Sequence, residues 1–220
     1  MDPSKFMERE RTPLPLMLYA VYLYFCSRSL RLASYALEPI IDRSHVSLWR
    51  WVQRFASIAD RFNIDRAAVQ CIFVDETLIK IKGREYWLWI AYEPCLSRCL
   101  MMHLSVERTL MVCYLFLKGV RTRYGRKPIL TDGALWYVEA CNWLRLSHRV
   151  YQIEEKNLME RFIQNIKDRT ECFDDYFPCR KDECDREHVW NWLKMFILHI
   201  HFKMNLDELS SFFYTEVSLR

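Results

Sequence analysis

Three acidic residues stand where a carboxylate could do chemistry. Asp75 lies in the run IFVDET, a stretch of β-formers, where a charge is costly to bury unless it is paired or bound to a cation. Asp132 follows the short run PILT, in LTDGALWY, at what reads as the carboxyl end of a strand, a place where open α/β sheets tend to hold ligands. Glu160 lies in KNLMERFIQNIKDRTE, whose helical pattern is expected to start near Asn157, so that Glu160 falls in the first turn. On that helix Leu158, Met159, Phe162, Ile163, Ile166 and Phe173 form an apolar face. Glu160, Gln164, Lys167 and Glu171 form a separate polar stripe. If the three carboxylates converge, their repulsion raises their pKa values unless a cation binds. Their hard oxygens suit Mg²⁺ or Mn²⁺, and two such ions can activate a nucleophile and steady the leaving oxygen of a phosphoryl displacement. Each acid also has a structural alternative: an edge-strand position for Asp75, a turn or N-cap role for Asp132, a helix-dipole role for Glu160. Glu76, Glu154, Glu155 and Asp174 are neighbouring carboxylates, and Glu76 should point to the opposite sheet face from Asp75.

The elements that must position these acids follow from local patterns. Strands are expected over 71–81, 86–92 and 98–106, with a turn at Gly83 and Arg84. A helix over 109–124 ends at Gly125. A short strand over 128–131, a helix over 136–144 and a fifth strand over 148–153 follow, then helices over 157–173 and 187–204. Three antiparallel strands followed by strands alternating with helices predict an α/β fold, a mixed sheet flanked by helices. The first third reads as all-α: helices over 14–27 and 29–37, a break at Pro39, and a helix N-capped by Ser44 that runs to about Phe55. Two short helices joined by a turn, the second bearing Arg43, Ser47, Arg50, Gln53 and Arg54, look like a helix-turn-helix; such a helix fits a major groove, where Arg and Gln bond base edges. The expected division is a helical region over 1–66 and an α/β region over 67–220 that holds the three acids and includes the last helix.

Composition narrows the classes. Half the chain is hydrophobic (51%) and 15% is aromatic, which excludes disorder. Four glycines and no GxGxxG or Walker pattern argue against dinucleotide and P-loop chemistry. The apolar run 14–26 is too short to span a bilayer, and no secretory signal is visible, so an intracellular protein without a membrane partner is expected. The net charge of +4 says little, but 108–127 holds Arg108, Lys118, Arg121, Arg123, Arg126 and Lys127 and no acid, a block suited either to a polyanion or to a solvated face. Nine cysteines suggest a reduced protein in which Cys26, Cys71, Cys113 and Cys141 pack as small hydrophobes. Cys172, Cys179, Cys184 and His188 could be a zinc set, but they lack a CxxC knuckle.

Taken together, these blocks resemble a prokaryotic, archaeal-type insertion-sequence transposase of the DDE class, with an N-terminal helix-turn-helix and an RNase H-like, retroviral-integrase-like catalytic core. ERERTPLPLM and SHVSLWRWVQRF resemble the family's helix-turn-helix. VDETLIKIKGREYWLWIAYEP, LTDGALWY and KNLMERFIQNIKDRTECFDDYFPC resemble the three catalytic blocks, which places the catalytic and metal-binding roles on Asp75, Asp132 and Glu160. The family's basic residue seven positions after the Glu falls on Lys167, with an implied role at DNA phosphate. Asp132 and Glu160 stand only 28 positions apart, shorter than in many retroviral-type integrases. The resemblance implies two Mg²⁺ or Mn²⁺ ions and cleavage at the terminal inverted repeats. The freed 3′-hydroxyl would then attack target double-stranded DNA, in a homodimer or larger assembly. Arg121, Arg123, Arg126 and Lys127 are candidates for flanking DNA contacts from charge alone. Two other readings stand beside it: an RNase H-like nuclease that cleaves without joining, and a catalytically inactive DNA-binding relic or regulator.

Overall fold

The computed structural model describes residues 10–58, 64–81, 84–170 and 186–202. The chain divides into two compact units, one of residues 1–61 with 178–220 and one of residues 62–177.

The helical unit holds α1 (Leu14–Ser27), α2 (Leu30–Leu37), α3 (His45–Ile58) and, from the far end of the chain, α7 (Arg186–Phe202). Pro13 and Pro15 open α1, where their missing N–H groups cost nothing. The Ser29 hydroxyl caps α2 by accepting from the Leu32 N–H at 3.2 Å. The Ser44 hydroxyl does the same for α3 through the Ser47 N–H at 3.3 Å, as expected from the sequence. The core of this unit is aromatic: Phe25 lies 5.6 Å from Trp192 and 5.9 Å from Phe196, ring to ring, and the Trp192 indole N–H donates to the Tyr24 hydroxyl at 2.8 Å. The last helix was expected with the catalytic core, but it belongs to the helical unit, because the apolar side of α7 completes a core that α1 and α3 cannot close alone.

The second unit is a five-stranded sheet in the order β3-β2-β1-β4-β5. Its strands are β1 (Ile72–Ile81), β2 (Arg84–Glu93), β3 (Arg98–Ser105), β4 (Ile129–Thr131) and β5 (His148–Val150). β1, β2 and β3 form an antiparallel meander, while β4 and β5 run parallel to β1. This is the mixed sheet expected from the sequence, three antiparallel strands followed by two parallel to the first. The helices are α4 (Leu110–Tyr124), α5 (Leu135–Leu144) and α6 (Ile153–Thr170). One sheet face, presenting Ile72, Val74, Trp89 and Ala91, packs on Phe116, Leu117 and Val120 of α4 and on Tyr137 and Cys141 of α5. The other face, presenting Phe73 and Tyr92, meets α6, whose Phe162 ring lies 4.6 Å from that of Tyr92.

The fifth strand stops at Val150 and α6 starts at Ile153, four residues earlier than expected. A capping box sets this start: the Glu155 carboxylate accepts from the Gln152 N–H at 2.8 Å and pairs with Arg149. Glu160 is therefore two turns inside the helix, not in its first turn. Cys113 and Cys141 are buried as expected, whereas Cys26 is exposed and Cys71 half-buried. No helix among the described residues is long and apolar enough to cross a membrane.

Candidate active site

β1 is ten residues long, yet β4 pairs with it only at Ile72↔Ile129 and Phe73↔Leu130. Past that point the two strands separate at the place where the strand order switches, the usual position of a ligand crevice in such sheets. Extending the register by two residues sets Asp75 level with Asp132. Asp75 lies on the α6 face of the sheet with Phe73, because side chains alternate along a strand.

The Asp75 carboxylate accepts one recorded hydrogen bond, from the Glu76 N–H at 2.8 Å. Burial pushes the Asp75 carboxyl up to about 7, and the charges of Glu76 and Asp132 push the same way, against that hydrogen bond and Arg108. Asp132 is exposed. One of its oxygens accepts from the Ala134 N–H at 3.0 Å, an Asx turn that holds the side chain at the strand end. The turn needs Gly133 at φ +87°, where a Cβ would stand 2.9 Å from a methyl of Val150.

Around these two acids lies a set of supports absent from the sequence reading. The Thr131 hydroxyl accepts from the Gly133 N–H at 3.1 Å and sits 2.9 Å from Nε2 of His148. Burial lowers the pKa of His148, against the pull of Asp132. The Tyr151 hydroxyl donates to the carbonyl of Val74 at 2.9 Å, and burial and the nearby Asp75 and Asp132 raise its pKa. Thr77, two residues beyond Asp75 on the same face, buries its hydroxyl oxygen with no hydrogen-bond partner among the described residues.

Glu76 points to the other face, as expected. Its side chain is 1% exposed and pairs with Arg108 at 2.5 Å. It also accepts from the Tyr137 hydroxyl. The Arg108 guanidinium lies between the Trp87 and Trp136 rings, 4.6 and 4.4 Å from their centroids. Arg108 therefore does not belong to a solvated basic block; it neutralises a buried acid. Nothing in the local sequence marks it as different from the other basic residues of 108–127.

Glu160 is not gathered with the aspartates. Its side chain is 56% exposed and pairs with Lys156 at 3.6 Å. It borders an open depression with Asn157, Arg161 and Gln164. The cause is the helical phase: Met159, Phe162, Ile163 and Ile166 take the sheet-facing side of α6, and Glu160 lies about 100° from Met159 around the axis. Among the described residues no group of three His, Cys, Asp or Glu side chains is arranged to hold a metal ion. The donor chemistry of the pair Asp75 and Asp132 still fits a divalent cation: both offer hard carboxylate oxygens, and the Asp75 carboxyl is desolvated and raised by its acidic neighbours.

The expected DNA contacts divide. Lys167 is exposed on the last turn of α6. Arg121 and Arg123 end α4, and Arg126 and Lys127 precede β4, at the opposite end of that strand from Asp132. On the helical unit Arg50 is exposed and Ser47 contacts Ser44. Arg43 donates to the Thr12 hydroxyl at 2.8 Å, and Arg54 pairs with Glu10 at 3.3 Å. Gln53 faces α7, bonding the His188 carbonyl at 3.3 Å and Asn191 at 3.1 Å, because it lies on the packed side of α3 and not on its outer side. Of the zinc set, Cys172, Cys179 and Cys184 lie outside the described residues.

An uncharacterized protein of Methanocaldococcus jannaschii is 27% identical over 203 residues, 92% of each chain. Among solved structures, the catalytic core domain of BIV integrase is 15% identical with a TM-score of 0.44, over 66% of this chain and 99% of that one. The HTLV-2 integrase catalytic core domain in complex with magnesium is 16% identical with a TM-score of 0.41, over 62% and 84%. Residues 69–179, which include Asp75, Asp132, Glu160 and Lys167, match the DDE domain of IS240-type transposases, and the chain belongs to that family.

Proposed function

We propose that this DDE transposase cuts DNA at the ends of an insertion sequence and joins the freed 3′-hydroxyl to target DNA, with Asp75, Asp132 and Glu160 as the catalytic acids. The observation that carries the proposal is the meeting of Asp75 and Asp132 at the β1/β4 switch point, where burial and the neighbouring acids raise the Asp75 carboxyl to about 7, a cost that a bound cation would offset. Asp75 and Asp132 would hold the divalent cations, Mg²⁺ or Mn²⁺, and Glu160 would complete the set, a role supported by the family match that spans it. When bound, the two ions supply an activated water or hydroxyl and charge stabilisation at the scissile phosphate.

The chain's own groups account for the rest. The Asx turn at Asp132 fixes one carboxylate at the strand end, and the Glu76 N–H orients the other. Lys167 would hold DNA phosphate two turns along α6 from Glu160. Arg50, with Arg43, Ser47 and Arg54 on the same helical unit, would bind the terminal repeats; Arg121, Arg123, Arg126 and Lys127 would bind flanking DNA. The partners are then double-stranded terminal inverted repeats and target DNA, engaged by a homodimer or larger assembly, because two ends need two sites. The place of action is the cytoplasm, at the nucleoid.

The test uses DNA spanning the borders of the gene. Wild-type protein with Mn²⁺ is expected to nick the borders and join them to a plasmid. Asp75→Asn, Asp132→Asn and Glu160→Gln are each expected to lose at least about a thousand-fold in rate while still binding the ends. Joining retained by any of the three removes that residue from the site, and nicking without joining favours a nuclease.

A further inference from the structure

The geometry assigns Tyr151 as a positioning residue that sets the gap between Asp75 and Asp132. This rests on the reading that those two carboxylates share a cation site.

The pairing of β1 with β4 ends at Phe73↔Leu130, one residue short of Val74 and Thr131. Those are the residues immediately before Asp75 and Asp132. Beyond this pair the β1/β4 register has no further partners among the described residues, so the Val74 carbonyl, just before Asp75, takes its hydrogen bond from another group. Tyr151 bridges the break. Its backbone N–H donates to the carbonyl of Thr131 at 2.9 Å, and its side-chain hydroxyl donates to the carbonyl of Val74 at 2.9 Å. One residue thus ties the Val74 carbonyl of β1 to the Thr131 carbonyl at the end of β4.

The ring is fixed as well. It stands edge-on to Phe73, 5.2 Å between centroids and 66° between planes. Its backbone is held by β5, whose His148 and Val150 flank the same turn, at the Thr131 hydroxyl and at Gly133. A hydroxyl held by packing on one side and by a strand on the other is a rigid spacer. Burial and the adjacent carboxylates keep it protonated, so it remains a donor. Tyr151 touches neither carboxylate in a recorded hydrogen bond. It acts on the strand carbonyl that precedes one of them.

Outer groups that orient metal ligands are commonly worth about 10- to 100-fold in metal affinity. Deleting only the hydroxyl, with Tyr151→Phe, leaves the ring packing and the backbone bond and removes the link from the Val74 carbonyl to Tyr151. The full-length protein, Tyr151→Phe, Asp75→Asn and a destabilised control, Leu144→Ala in the core of the other sheet face, are titrated with Mn²⁺ by electron paramagnetic resonance and melted in parallel. Tyr151→Phe is expected to weaken Mn²⁺ binding about 10-fold and to raise by the same factor the Mn²⁺ needed for half-maximal cleavage, with the rate at saturating Mn²⁺ close to wild type. Leu144→Ala is expected to melt earlier than Tyr151→Phe but to bind Mn²⁺ as the wild type does. Binding by Tyr151→Phe within about two-fold of wild type overturns the assignment while leaving the two-aspartate site intact. If Asp75→Asn binds Mn²⁺ as well as the wild type, the site itself fails, and the role of Tyr151 falls with it.

Discussion

Asp75 and Glu76 are chain neighbours on one strand, and the sheet turns them into opposites. Glu76, on the α4/α5 face, is sealed from solvent and fully matched by the Arg108 guanidinium and the Tyr137 hydroxyl. Asp75, on the α6 face, has one recorded backbone hydrogen bond, with Asp132 close enough to raise its pKa. A matched acid stabilises the fold and has no capacity left for a ligand. An unmatched acid costs stability and is therefore placed where a cation can restore the balance. The difference teaches that burial alone does not mark a functional carboxylate; the lack of a directly paired cation among the described residues does.

The largest effect that separates the two acids is on chemistry. Asp75→Asn should remove strand cleavage by about a thousand-fold or more, whereas the folded fraction of Glu76→Gln should retain most of it. Equal losses in both, measured at equal folded fractions, would erase the distinction. Next comes stability. Arg108→Met leaves the Glu76 carboxylate buried and unpaired, and it should cost about 3–5 kcal/mol in urea unfolding. Asp75→Asn should act in the opposite direction, stabilising the metal-free chain by about 1–3 kcal/mol at pH 8.

The pH dependence sharpens the same contrast. Asp75 is raised from its ordinary value of 3.8 to about 7, so between those values the folded chain binds more protons than the unfolded one. The contribution of Asp75 to stability therefore falls as pH rises through that window and is level above it. Without divalent ions, the stability gap between Asp75→Asn and wild type should widen from pH 4 to pH 7; a gap that does not change with pH contradicts the raised carboxyl. A smaller effect is expected at the turn. Gly133→Ala places a methyl in a left-handed conformation against Val150, costing about 1–2 kcal/mol and loosening Asp132, which should be visible as weaker Mn²⁺ binding. The smallest effect lies in the helical unit: Arg50→Ala should reduce the salt slope of end binding by about 1, leaving cleavage of bound DNA unchanged.

Much of this contrast was legible in the sequence. Alternation along IFVDET already places Asp75 and Glu76 on opposite faces, and PILT followed by Asp-Gly already marks a strand that ends in a turn. The matching of charges was not legible. Arg108 reads as one more member of a basic run, and only the return of the chain after β3 brings it to Glu76 between two tryptophans. The start of α6 was misplaced because Gln152 is a poor N-cap by type; Glu155, reaching back to the Gln152 N–H, sets the boundary. The grouping of α7 with α1 and α3 joins the two ends of the chain, and linear order carries no sign of it. The role of Tyr151 is not legible in the sequence, because it depends on where two other strands stop pairing.

The most direct measurement is a crystal structure of the full-length protein soaked in Mn²⁺ at pH 8, with the ions located by anomalous scattering. The account predicts manganese bonded to the carboxylates of Asp75 and Asp132, with Glu160 turned from Lys156 into the same shell. Manganese bound elsewhere, or an Asp75 carboxyl still unliganded at that pH, would contradict it.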